Sequence, residues 1–131
     1  MSYTGQPFFS SRTNNSNNLT ISGGTIIPYV LLRNIGPGTF TSSKYKVGIS
    51  GLYMFTYSAY HNSTNSSTGF YLNNDLQHKY YGFNSSIFAS TYTVFFLLNV
   101  NDEVFVQAEE GNLSCINDDN IRSYFYGYKI A

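Results

Sequence analysis

One stretch constrains the fold more than any other: Ser50-Gly51-Leu52-Tyr53-Met54-Phe55-Thr56-Tyr57-Ser58-Ala59. Tyr53, Phe55 and Tyr57 recur at every second position after a glycine. In an extended chain that spacing puts all three rings on one face of a strand. Three large aromatics on one face need a thick layer over them, either a second sheet or a neighbouring subunit. Phe55, at the centre, is expected to be almost fully buried. Upstream, Tyr45, Val47 and Ile49 alternate in the same way, and Gly48, Ser50 and Gly51 interrupt the run. Residues 44–49 and 52–60 are therefore expected to form an antiparallel hairpin that feeds a central core strand.

The rest of the chain repeats this grammar of short strands and polar turns. Residues 6–12 read as a first strand, and 13–18 as an Asn/Ser loop. Residues 25–33 are apolar but carry Pro28, which points to an edge strand or a bulge. Residues 34–38 are a Gly/Pro turn. Residues 61–68 form a polar, solvated loop. Residues 69–72 and 76–81 flank Asn73-Asn74-Asp75, a hairpin turn whose residues tolerate positive φ. The run Val94-Phe95-Phe96-Leu97-Leu98 suits a strand covered on both faces. Residues 103–107 alternate after a turn at 99–102. Residues 109–120 read as a long acidic loop, and 122–130 as the closing strand, with Tyr124, Tyr126 and Tyr128 on one face. This gives an all-β, ten-stranded antiparallel jelly-roll sandwich in a single domain spanning residues 1–131.

Composition excludes several functions. Aromatic residues make up 18% of the 131 residues and charged residues 11%, against about a quarter charged in ordinary soluble domains. The formal net charge is zero, so nothing steers the chain to nucleic acid or to anionic lipid. No apolar run approaches the roughly 18 residues of a membrane span. No Gly-x-Ser-x-Gly, His-Glu-x-x-His, Walker loop or Cys-x-x-Cys occurs, and His61 and His78 stand in no catalytic arrangement. Cys115 is the one cysteine; it is either a free thiol or a partner in an interchain disulfide. No collagen-like Gly-X-Y tract is present. The first residues show no basic segment followed by an apolar one, so no signal peptide is read there. The chain is then either intracellular or the remainder of a secreted precursor. Asn-x-Ser/Thr sequons stand at Asn14, Asn18, Asn62, Asn65, Asn84 and Asn112.

Tyr45 followed by Gly51, Tyr53, Phe55 and Tyr57 resembles the second half of a family signature, aromatic, five residues, Gly-x-Tyr-x-Phe-x-aromatic. It belongs to the globular head of complement C1q. Asn34-x-Gly36 with Phe40 resembles its first half at altered spacing. Tyr71-Leu72-Asn73-Asn74, the segment from Leu97 to Val106, and Ser123-Tyr124-Phe125-Tyr126-Gly127-Tyr128 resemble three further strands, in the family's order. The resemblance covers nearly the whole chain. It implies a C1q and tumour-necrosis-factor-like fold, a secreted, non-enzymatic protein and a homotrimer formed through the sheet of the signature and terminal strands. Tyr53, Tyr57, Tyr124, Tyr126 and Tyr128 are then expected at the trimer interface, where a buried ring can keep its hydroxyl paired.

Head-only relatives of this kind are lectins of innate immunity that bind glycans or microbial surfaces. By that likeness, a glycan site is expected at the loops of residues 60–68 and 79–86. Tyr60, Tyr80 and Tyr81 would offer rings there, and His61, His78 and Lys79 polar groups, to an acidic or neutral sugar. Other relatives are trimeric signalling or structural ligands of protein receptors, which is the competing expectation. Some relatives bind Ca2+ after the strand equivalent to residues 104–108. Glu109, Glu110, Asp118 and Asp119 are the corresponding candidate ligands, since calcium takes hard oxygens.

Overall fold

The computed structural model describes residues 6–13, 19–61, 66–81, 88–115 and 123–131. Through them run twelve strands: β1 (Phe8–Thr13), β2 (Leu19–Ser22), β3 (Tyr29–Ile35), β4 (Gly38–Thr41), β5 (Lys44–Val47), β6 (Gly51–His61), β7 (Ser67–Leu72), β8 (Asp75–Tyr81), β9 (Phe88–Leu98), β10 (Glu103–Glu110), β11 (Asn112–Cys115) and β12 (Tyr124–Lys129). No helix occurs among the described residues, as expected of a chain rich in Tyr, Phe, Val, Ile and Thr. Every strand pairing is antiparallel.

The strands form two sheets. The first has the order β2-β11-β6-β12-β1-β3, with β9 also pairing with β6; the second has the order β4-β5-β10-β7-β8. They stack as a jelly-roll sandwich, and the aromatic alternation explains why. The inward face of the first sheet carries Phe9, Tyr53, Phe55, Tyr57 and Phe125, all fully buried. From the second sheet come Tyr45, Phe70, Val104 and Val106, equally buried. Phe9 stacks on Tyr45 at 4.4 Å and meets Phe125 edge-on at 5.0 Å. Phe55 meets Phe70 at 5.5 Å across the gap. Aromatic pairs at these separations add to the gain from burial.

Several expectations need correction. Residues 44–49 and 52–60 are not a hairpin: β5 pairs with β4 and β10 in one sheet, β6 with β9, β11 and β12 in the other. Gly48 turns the corner between sheets, packed so tightly on Pro37 and Gly38 that no Cβ fits. Alternation continues through the corner because both strands bury one face in the same core. The partner of β5 is β4, joined by Ser42 and Ser43, both in left-handed backbone at φ 53° and 64°. That is the handedness a two-residue hairpin loop requires.

The run of β9 is covered on one face only. Val94 and Leu98 are buried, while Phe95 and Leu97 are 57% and 80% exposed. The loop expected at residues 61–68 is in part core: Ser66, Ser67 and Thr68 are buried, and Tyr57 Oη and Thr68 Oγ1 share a hydrogen bond at 2.8 Å. The acidic loop is shorter than expected, because β10 runs to Glu110 and β11 follows.

Three turns lock together at one end of the sandwich. The Asp102 carboxylate accepts hydrogen bonds from Asn99 N at 2.8 Å and Asn73 Nδ2 at 3.2 Å. Asn73 Oδ1 accepts from Glu103 N at 3.0 Å. Val47 N donates to Asp102 O at 2.8 Å. Asn73, at φ 56°, takes the left-handed conformation its side chain tolerates.

Candidate functional site

Three surfaces carry the chain's exposed chemistry. The first is the outer face of the first sheet. Strand register sets Phe95, Met54, Tyr128 and Phe8 in one row, with Thr93, Thr56, Tyr126 and Ser10 in the next. Tyr128 Oη donates to Met54 Sδ at 3.5 Å, Thr56 and Thr93 hydroxyls meet at 3.0 Å, and Tyr124 and Tyr126 stack at 5.6 Å. With Leu97, this row makes an apolar surface on the outer face of the first sheet.

The expected interface tyrosines divide between the two faces of this sheet. Tyr124, Tyr126 and Tyr128 lie on the outer face. Tyr53 and Tyr57 do not: both are fully buried inside one chain. Tyr53 Oη donates to Ile49 O at 2.6 Å. Of the two layers the sequence left open for these rings, the second sheet is the one that covers them. Burial pushes the phenol pKa of Tyr53 and Tyr57 up, because a phenolate there would lose its water.

The second surface is the open rim between β8 and β9, which sit at facing edges of the two sheets. Tyr80 stacks on Tyr92 at 4.0 Å, and His78 approaches Phe96 at 5.9 Å. Burial raises the Tyr80 pKa. The half-buried Tyr80, Tyr92 and Phe96, with the exposed His78 beside them, close the sandwich where no backbone ladder joins it.

The third surface is the outer face of the second sheet, which sequence reasoning did not single out. Tyr71 lies flat on Phe105 at 4.9 Å, and Lys44 Nζ sits 4.7 Å over the Phe105 ring. The Tyr71 hydroxyl donates to the Glu109 carboxylate and accepts from Gln107 Nε2 at 3.3 Å. Burial first, then the hydrogen bond and negative charge of Glu109, push the Tyr71 pKa up to about 12. Lys79 pairs with Glu110 and lies 5.1 Å from the Tyr81 ring centre. The hydrogen bond to Glu110 is the main reason its ammonium pKa is raised.

Of the six expected glycan residues, the four on β8 divide between two surfaces. Alternation along β8 sends His78 and Tyr80 to the rim, and Lys79 and Tyr81 to the outer face. The side chains of Tyr60 and His61 lie outside the described residues. Of the expected calcium ligands, only Glu109 and Glu110 lie among the described residues. A bulge between Ala108 and Glu110 turns both Glu109 and Glu110 outward, where Tyr71 and Lys79 engage them. Calcium needs about six to eight oxygens. No group of three or more potential metal ligands occurs among the described residues, and Asp118 and Asp119 lie outside them. The described residues therefore do not fit a calcium shell.

Solved structures share this architecture. The globular domain of zebrafish complement 1qA superposes with a TM-score of 0.74 at 14% identity, over 97% of this chain and 98% of that one. Eiger TNF from S. frugiperda gives 0.71 at 14% identity, over 96% and 93%. Murine APRIL gives 0.68 at 10% identity, over 96% and 100%. At such identities these likenesses establish the fold alone. No curated protein sequence matches the chain. The family model for the C1q domain matches residues 8–130, the same span that the two aromatic sheets occupy, and the chain is therefore a member of the C1q domain family, whose domains are non-enzymatic ligand-binding modules.

Proposed function

We propose that the chain is a secreted recognition module that works as a homotrimer and binds glycans on microbial or cell surfaces. The observation that carries the assembly is Leu97, 80% exposed beside Phe95 and Met54 on the outer face of the first sheet. A contiguous apolar patch of this kind marks an interaction surface. A closed three-fold ring needs one surface that meets a different surface on its neighbour. The apolar outer face and the aromatic rim of β8 and β9 supply such a pair, on adjoining sides of one chain.

Three copies would also turn a weak single-site affinity into avidity, which suits recognition of repetitive surfaces. The lectin reading is supported by the family membership and by exposed tyrosines beside hydrogen-bonding side chains. Binding to a protein receptor is the competing outcome. A glycan array read with the intact protein, next to light scattering for the assembly, separates them. Signal from defined saccharides supports the lectin reading. An oligomer that ignores every glycan and captures a cell-surface protein overturns it.

A further inference from the structure

We propose that the outer face of the second sheet is a binding site for a neutral saccharide, formed by Tyr71, Gln107, Glu109 and Tyr81. This rests on the lectin reading above and assigns it a place other than the loops.

The site follows from the strand register. Gln107 lies opposite Gly69, Gly69 opposite Lys79, and Phe105 opposite Tyr71. All of these positions face outward. Gly69 has no side chain, and the carboxylate of Glu109 occupies the space a Cβ would need, next to Leu76. The result is a shallow floor with a fixed carboxylate over it.

That carboxylate is held in place. Tyr71 donates to it, Gln107 donates to Tyr71, and the Tyr71 ring is clamped against Phe105 with Lys44 behind. One hydrogen bond does not exhaust a carboxylate, which has about four acceptor positions, and the Gln107 carbonyl adds another. Acceptors beside an amide donor match the adjacent hydroxyls of a pyranose. Tyr81, 53% exposed, offers the ring against which the apolar C–H face of a sugar stacks.

Charge decides the ligand class. Three lysines on this face, Lys44, Lys46 and Lys79, are balanced by three glutamates, Glu103, Glu109 and Glu110. Lys79 is already paired with Glu110. No net field draws an anion or a cation, so a neutral polyhydroxyl ligand fits best. The face is turned away from the outer face of the first sheet, one of the two surfaces assigned to the trimer, and Tyr81 is its member nearest the other, the rim of β8 and β9.

The test titrates the intact protein with N-acetylchitotriose and with mannotriose, chosen as neutral probes, and compares variants. Glu109→Gln keeps the shape and removes the charge. Gly69→Ala puts a methyl group where the carboxylate sits. Gln107→Ala removes the amide. Each is expected to weaken binding at least about tenfold, as loss of a hydrogen bond to a charged group does, with the oligomer mass unchanged throughout and the melting midpoint unchanged for Glu109→Gln and Gln107→Ala. Should Gly69→Ala fail to fold, Glu109→Gln decides. Binding unaffected by Glu109→Gln and Gln107→Ala, or abolished by His78→Ala instead, overturns this site and leaves the lectin reading standing. No binding of either neutral probe by the wild-type protein overturns this site, and a glycan array without signal from any saccharide, acidic or neutral, overturns the lectin reading as well.

Discussion

The ring of Phe55 lies directly against Gly127, its register partner on the neighbouring strand, and fills the space a side chain there would occupy. Glycine in a strand ordinarily weakens it, so alanine ordinarily helps. Here the sign reverses, because an added methyl meets a ring that is itself fully buried. Gly127→Ala is expected to destabilise the fold by about 1–3 kcal/mol, the usual range for overpacking a core. Urea unfolding measures it, and a neutral or stabilising result would show that the ring can move aside.

Phe55→Ala makes the opposite error. Phe55 touches rings from both sheets, Phe9, Phe70 and Phe125 among them. Removing it leaves a cavity with few ways to collapse, at about 3–5 kcal/mol. A loss below about 1 kcal/mol in the same denaturation experiment would mean that this strand is not central.

Assembly is tested on the outer face of the first sheet. The wild-type protein is expected to scatter light as three times the 14.8 kDa chain. Leu97→Asp should give a folded monomer, because a side chain 80% exposed in one chain contributes little to that chain's own stability. A charge in the trimer contact would be desolvated without a partner. A wild-type monomer at micromolar concentration would refute the trimer. Tyr126→Asp, closer to the middle of the face, should act the same way and cost more of the fold.

Alkaline unfolding should be steep. Burial first, with the neighbouring Glu109 next, raises the Tyr71 pKa from 10.0 to about 12, and burial raises those of Tyr45, Tyr53 and Tyr57. In the unfolded chain all four ionise near pH 10. Stability is therefore intact below about pH 10 and falls as pH rises from there toward 12, where the unfolded state binds fewer protons than the native one. With no tryptophan in the sequence, absorbance near 295 nm reports tyrosinate alone. The last tyrosines should ionise together with loss of structure. A smooth titration of all 13 tyrosines near pH 10 in a still-folded protein would contradict the burial.

Much of the fold was legible in the sequence because burial follows a period of two. Phe55, Phe125 and the Asn73 turn stand where that pattern places them. The pattern fails where two arrangements share it. It marks β5 and β6 as buried on one face, yet cannot say that they belong to different sheets, since a corner and a hairpin both spend the glycines at positions 48 and 51. Ser42 and Ser43 hide a hairpin because serine carries no strong left-handed preference. Strands β2 and β11 are short and polar, so their existence depends on the ladders that flank them. The candidate site was hidden for a related reason. Tyr71, Gln107 and Glu109 come from two strands 36 to 38 positions apart, and only register brings them together. The sequence grouped Tyr80 with Tyr81 by adjacency, whereas adjacent residues on a strand face opposite ways.

The place of β12 matters for how the protein is made. It lies between β6 and β1 in the first sheet and delivers Phe125 to the middle of the core. A nascent chain emerging from the ribosome lacks that strand until residue 129 is out. Before then β1 and β6 have no shared neighbour, and Phe9 and Phe55 lack the ring that both approach. Folding of this domain is thus deferred until β12 has been made, and the aromatic strands stay uncovered up to that point. Such segments invite strand pairing with other chains, so yield in an expression host should depend more on chaperone supply and synthesis rate than on the stability of the finished sandwich.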